Sequence, residues 1–175
     1  MDFTKDNNPK KIKHPVKIIV IYEPKYAGNV GSILRTAYQM GYKVVIVGTD
    51  ISNKWKKTMI RSSMQNMLHT TMPMIIPYLT NDAIGVNAPW YALEIPRNYE
   101  GDTPLYNIYK YNPQENHVIV IGSEDTGIPN YVLDMCDVIL NIPCDPNINV
   151  HCSINVSHAL AIAIGVINCK LNIYI

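Results

Sequence analysis

Charge is scarce in this chain, and several standard signatures are missing. Only 17% of its 175 residues are Asp, Glu, Lys or Arg, against 47% hydrophobic. That balance excludes a disordered chain and fits one globular domain with a substantial core. The four cysteines, Cys136, Cys144, Cys152 and Cys169, form no CxxC pair. With no disulfide framework and no zinc spacing, they read as free thiols, and the grouping of Cys144, His151, Cys152 and His158 fits no metal pattern. No secretory leader is visible, because MDFTKDNNPKK is polar and lysine-rich. No apolar run spans a bilayer, the most apolar stretch being Ala159 to Ile167. The expectation is a soluble, cytoplasmic protein with no membrane and no metal.

Missing motifs narrow the chemistry. GxxxxGK[ST] does not occur, which argues against P-loop chemistry. GxGxxG follows no strand, which argues against a dinucleotide fingerprint, and GxSxG is absent, which removes a nucleophile elbow. Acidic residues are also absent between Asp50 and Asp82, where Lys54, Lys56, Lys57 and Arg61 stand. The net charge of +1 conceals this asymmetry: residues 1–98 carry 13 basic and 6 acidic side chains, and residues 99–175 carry 2 and 8. By itself the basic run reads as a solvated helix, with a polyanion-binding face as the alternative.

What is present is a βα alternation. Apolar, β-branched runs at Ile18 to Tyr22, Lys43 to Val47, Val118 to Ile121 and Val138 to Ile142 read as buried strands. Met72 to Pro77 and Trp90 to Ile95 read as weaker ones. Helical spacing marks Val30 to Met40, Lys54 to Leu68, Tyr131 to Cys136 and Ser153 to Lys170. Pro96 to Pro113 reads as loop, with one helical turn near Leu105 to Lys110. The pattern predicts an α/β fold, a mainly parallel sheet with helices on both faces. One domain over 17–175 follows a basic tail over 1–16. The last helix is apolar around much of its circumference, which calls for burial on two sides, the second side supplied by a partner subunit.

Three stretches carry chemistry. NVGSILR (Asn29 to Arg35) opens a helix with Asn29 as its expected cap, and leaves Arg35 unexplained on an apolar stretch. IGSEDTGIP (Ile121 to Pro129) sits at the carboxyl end of a strand, where ligands bind in open α/β sheets. SINVSHA (Ser153 to Ala159) gathers hydroxyl and amide groups at a helix start. Each is weak alone. In this order, NxGxxxR, GSExxGIP, IP and SxNVSxA, they resemble the SpoU (TrmH-type) family of the SPOUT methyltransferase superfamily.

The resemblance implies a homodimeric RNA 2′-O-ribose methyltransferase using S-adenosylmethionine, with a C-terminal trefoil knot and structured RNA, tRNA more than rRNA, as substrate. It implies catalytic roles for Arg35, Asn29, Glu124, Ser153 and Asn155. It implies cofactor contacts from Ile121, Gly122, Glu124, Gly127, Ile142, Pro143, Ser153 and Ile154. Lys10, Lys11, Lys13, Lys54, Lys56, Lys57 and Arg61 become candidates for RNA binding, with Trp55 either stacking a base or packing in the core. CDPNINVHC (144–152) departs from the family pattern: it is longer and lacks glycine. The competing readings are a catalytically inactive RNA- or cofactor-binding module and a phosphate- or nucleotide-binding enzyme.

Overall fold

A computed structural model of the protein describes residues 15–48, 52–63, 73–95, 99–145, 147 and 153–173. Seven strands and five helices follow in the order β1 (Lys17–Tyr22), α1 (Ala27–Gln39), β2 (Lys43–Val47), α2 (Asn53–Ser62), β3 (Met74–Ile76), α3 (Asn81–Ile84), β4 (Trp90–Leu93), β5 (Leu105–Asn107), β6 (His117–Ile121), α4 (Asn130–Leu133), β7 (Val138–Asn141) and α5 (Val156–Lys170). The strands form one sheet in the order β3-β2-β1-β6-β4-β7-β5. Every pairing is parallel, with Ile19 opposite both Val44 and Ile119 in the centre.

Period-two alternation divides the strand residues between two cores. Ile19, Ile21, Val44, Ile46, Ile119 and Ile121 face α1, α2 and α5. Ile18, Val20, Val45, Val118 and Val120 face α3 and α4. The central strands are buried on both faces, which is why they read as unbroken apolar runs rather than alternating ones. After β1 the chain crosses to one face and continues outward through β2 and β3, while β6 lies on the other side of β1 and leads to α4 on the opposite face. The loops leaving β1 and β6 therefore diverge, and such a switch point opens a crevice at the carboxyl ends of the strands.

Several sequence expectations change. Asn29 does not cap α1: Tyr26 holds the N-cap position and Asn29 lies inside the first turn. Its amide is thereby released for another partner. Leu105 to Asn107 is not helical but a short edge strand on β7, with Leu105 and Tyr106 exposed and so no apolar alternation to read. β4 is no weak strand: Trp90, Tyr91 and Ala92 are buried between β6 and β7. The unforeseen α3 has readable caps, Thr80 accepting from the Ala83 N–H at 3.1 Å and Gly85 in the left-handed region. α2 ends its described span at Ser62, and residues 64–68 lie outside the described residues. α5 begins at Val156 with Asn155 as its N-cap. It buries Leu160, Ala163, Ile164 and Ile167 and leaves Ile162 37% exposed, so one apolar strip of this helix is uncovered.

Gly31 sets the spacing of two helices. A β carbon there would lie 2.3 Å from the Ser62 Cβ and 2.6 Å from the Met59 carbonyl oxygen, so α1 and α2 touch through this glycine. Gly31→Ala must push the helices apart, an overpacking cost of about 1–3 kcal/mol. The expected result in a thermal melt is a fall of roughly 2–4 °C per kcal/mol.

At the amino ends of the strands His117 is fully buried and stacks on Tyr91. Nδ1 lies 2.8 Å from the Gln114 carbonyl, which can only accept, so Nδ1 carries the proton and Nε2 accepts from the Tyr42 hydroxyl at 2.8 Å. Burial, reinforced by the nearby Lys17 ammonium, lowers the His117 pKa, against the opposing pull of the Gln114 and Glu115 backbone. The unfolded chain therefore takes up a proton at higher pH than the folded one. Stability should be complete above about pH 6.5 and fall as pH drops below it, by at most about 1.4 kcal/mol per pH unit. Urea melts between about pH 7.5 and pH 5 should show this slope, and it should flatten in His117→Gln.

Candidate active site

The three polar stretches meet at the carboxyl ends of the strands. Glu124, on the loop after β6, accepts the Asn29 Nδ2–H at 2.7 Å through Oε1 and the Lys25 backbone N–H at 2.9 Å through Oε2. A carboxylate only accepts, so it fixes the Asn29 amide with its NH2 toward Glu124 and its oxygen outward. That oxygen accepts from Asn155 Nδ2 at 3.2 Å. Asn155 in turn caps α5, accepting the Ser157 N–H at 2.9 Å and the Ser157 hydroxyl at 2.7 Å. One chain of hydrogen bonds thus runs from the loop after β6, through the first turn of α1, to the start of α5. Lys25 adds an ion pair with Asp125, which raises the Lys25 pKa; both partners are about half exposed, so the pair contributes little to stability.

The loop that carries Glu124 is tightly wound. Ser123 and Gly127 exchange backbone hydrogen bonds at 3.1 and 2.9 Å, and Gly127 has φ +67°. A β carbon on Gly122 would lie 2.2 Å from the Gly127 carbonyl carbon, so the turn folds back onto that position. Glycine is needed at 122 for room and at 127 for backbone conformation.

Behind the turn lies a cleft of about 640 Å³. Of the residues the motifs predict, Asn29, Gly122, Glu124, Gly127, Ile142, Pro143, Ser153, Ile154 and Asn155 line it. Two do not. Ile121 is a core residue, 1% exposed, on the face packed against α1 and α5. Arg35 is exposed on α1, outside the lining, and its side chain makes no hydrogen bond or ion pair with another described residue. The lining also includes Tyr26, Leu93, Glu94 and Tyr99, which the motifs did not suggest, and Asp125, which stands in the second motif without an expected role. The signal for Glu94 was a charged residue directly after the apolar run WYAL. The lining holds three carboxylates, Glu94, Glu124 and Asp125, and among the described residues no Lys, Arg or His.

The basic candidates lie elsewhere. Lys54, Lys57 and Arg61 are exposed on α2 and Lys56 is partly buried, whereas Lys10, Lys11 and Lys13 lie outside the described residues. Trp55 packs against the core under α1, and its indole N–H points to the Lys25 carbonyl at 3.4 Å, so of its two readings packing holds. Among the described residues no group of His, Cys, Asp and Glu is arranged to hold a metal, and no helix is long and apolar enough to cross a membrane. Cys136, Cys144 and Cys169 are free, and burial pushes the Cys136 thiol up to about 12.

This fold superposes on those of solved SpoU methyltransferases. The AviRb enzyme from Streptomyces viridochromogenes, solved with the cofactor AdoMet, superposes with a TM-score of 0.71 over 93% of this chain and 60% of its own, at 18% identity. A protein solved in work on 2-OH methylation of C/U34 on tRNA matches with a TM-score of 0.72 over 90% of this chain and 97% of its own, also at 18% identity. The chain belongs to the SpoU rRNA Methylase family, whose pattern it matches over residues 17–165. It is also 29% identical over 149 residues to the tRNA (cytidine-2'-O-)-methyltransferase TrmJ of Methanocaldococcus jannaschii, a match covering 82% of this chain and 64% of that protein.

The hydrogen-bond chain depends on a neutral donor at position 29. Asn29→Asp replaces the donor with a second carboxylate against Glu124 and should lower the melting temperature more than Asn29→Ala, which removes the donor alone. Thermal melts of both variants beside wild type make the comparison.

Proposed function

We propose that the protein transfers the methyl group of S-adenosylmethionine to a ribose 2′-OH of structured RNA. The observation that carries this reading is the Asn155–Asn29–Glu124 chain beside an acidic cleft without a cationic lining residue. The cofactor is a sulfonium cation with an apolar and aromatic body. Acidic walls favour its charge, and Leu93, Ile128, Leu133, Ile142 and Val156 offer apolar surface to the rest. The same walls disfavour ATP and NAD, whose phosphates need cations or a nest of free N–H groups. Bound S-adenosylmethionine supplies an electrophilic methyl group, so the protein's task is chiefly to position the ribose oxygen and help it lose a proton.

Arg35 suits the RNA side of that task. A guanidinium presents only donors, so Arg35 serves as a phosphate clamp that also polarises the 2′-OH and not as a base. Its exposure and lack of a described partner leave its donors available. Asn29, Ser153 and Asn155 orient the ribose at the mouth, and Gly122, Gly127, Ile142, Pro143 and Ile154 hold the cofactor. Lys54, Lys56, Lys57 and Arg61 draw in the RNA backbone, with a steep salt dependence. The uncovered strip of α5 at Ile162 supports a homodimer. The relatives that act on tRNA favour tRNA over rRNA. The family's trefoil knot, and a single domain over 17–175 behind a basic tail, belong to the same proposal.

Transfer of labelled methyl from S-adenosylmethionine to total tRNA and to rRNA, followed by digestion to nucleosides, tests the reading. A labelled 2′-O-methyl nucleoside is expected. Arg35→Ala should lower transfer by roughly a hundredfold or more and leave cofactor affinity nearly unchanged, because Arg35 does not line the cleft. Cofactor binding without transfer to any RNA would favour an inactive binding module, and displacement of the cofactor by ATP or NAD would favour a nucleotide site.

A further inference from the structure

Glu94 directly follows β4, in the cleft wall, and is partly buried. Its two carboxylate oxygens serve different elements. Oε1 accepts the neighbouring Ile95 N–H at 2.8 Å, and Oε2 accepts the Ile128 N–H across the sheet end at 2.9 Å. The turn after β6 passes directly over this carboxylate, for a β carbon on Gly127 would sit 2.5 Å from Oε2. Gly127 and Ile128 close the turn that presents Glu124, so Glu94 grips it at the base while Asn29 and Lys25 grip Glu124 at its apex.

A single carboxylate can satisfy two N–H donors at once, whereas an amide oxygen faces one of them and turns its own NH2 toward the other. Charge-assisted bonds are also the stronger kind. From this geometry we infer that Glu94 is a positioning residue for the cofactor: its carboxylate holds the Gly122–Ile128 turn in the shape that receives S-adenosylmethionine. The inference rests on the function proposed above. A purely structural strand cap would leave cofactor affinity alone once the protein is folded. A positioning residue acts on affinity for the cofactor and spares RNA recognition, since the basic residues of α2 lie outside the cleft lining.

The test compares wild type, Glu94→Ala and Glu94→Gln in the full chain, with three readouts. Calorimetry with S-adenosylmethionine should show a Kd raised at least about tenfold in Glu94→Ala and by less in Glu94→Gln, in keeping with the loss of a charged hydrogen-bond partner. Methyl transfer should show the same rise in KM for the cofactor, with kcat at saturation within about threefold of wild type and KM for RNA unchanged. Amide exchange without ligand should speed up at Gly127 and Ile128 in both variants. A Kd within twofold of wild type in both variants overturns the inference, as does a loss confined to kcat. If wild type itself binds no S-adenosylmethionine, the proposed function falls. Amide exchange still judges the brace in that case, and unchanged exchange at Ile128 in Glu94→Ala removes it as well.

Discussion

The Glu124 carboxylate is the point on which the site depends. It sits on a turn outside any helix or strand, and it is held through both oxygens, by the Asn29 amide and the Lys25 N–H. Because a carboxylate cannot donate, it dictates the orientation of Asn29. Asn29 then dictates what Asn155 meets, and Asn155 caps the last helix. Segments 95 and 126 residues apart in sequence are joined by three side chains. Charged hydrogen bonds at the edge of a cleft are stronger than neutral ones in water, and leaving one unmade is costly. The constraint is therefore geometric as much as energetic: moving one member leaves a neighbour's donor or acceptor unmatched.

The sheet makes such a junction possible. With all strands parallel, every loop leaving a carboxyl end lies on one edge of the molecule. α1 and α4 depart to opposite faces from the adjacent strands β1 and β6, so the loops part there and leave room for a ligand. Gly31 lets α2 lie directly on α1, and Trp55 fastens α2 near the Lys25 loop. The basic helix is thus anchored to the loop that fixes Glu124.

Much of this was legible in the sequence because burial imposes periodicity. KIIVIY, KVVIV and HVIVI are buried on both faces and so read as central parallel strands. The motif glycines were legible too, because a backbone turned back on itself admits no β carbon at Gly122. What could not be read was pairing at a distance. Asn29 looked like a cap, since a polar residue before an apolar helical run usually is one. Only its contact with Glu124 shows otherwise. Glu94 belonged to no motif, and its meaning lies in the Ile128 N–H, 34 residues away. Leu105 to Asn107 pairs on one side only, and an edge strand of three residues leaves no pattern to find.

The uneven charge of the chain acquires a reason in the fold. Under the proposed function, a sulfonium cofactor and a phosphate-bearing substrate would ask for surfaces of opposite sign. A near-neutral protein satisfies both only by keeping them apart. The cleft takes all three of its carboxylates from residues 94–125, where acidic side chains outnumber basic ones. The lysines of α2 lie in the basic first half, on a helix that contributes nothing to the cleft lining. Arg35 also stands outside the cleft, on the same helix as Asn29 but beyond its first turn. Inside the cleft, that arginine would be drawn to the carboxylates of the lining instead of standing in solvent. Separation along α1 keeps the Asn29 amide with Glu124 and leaves the guanidinium in solvent.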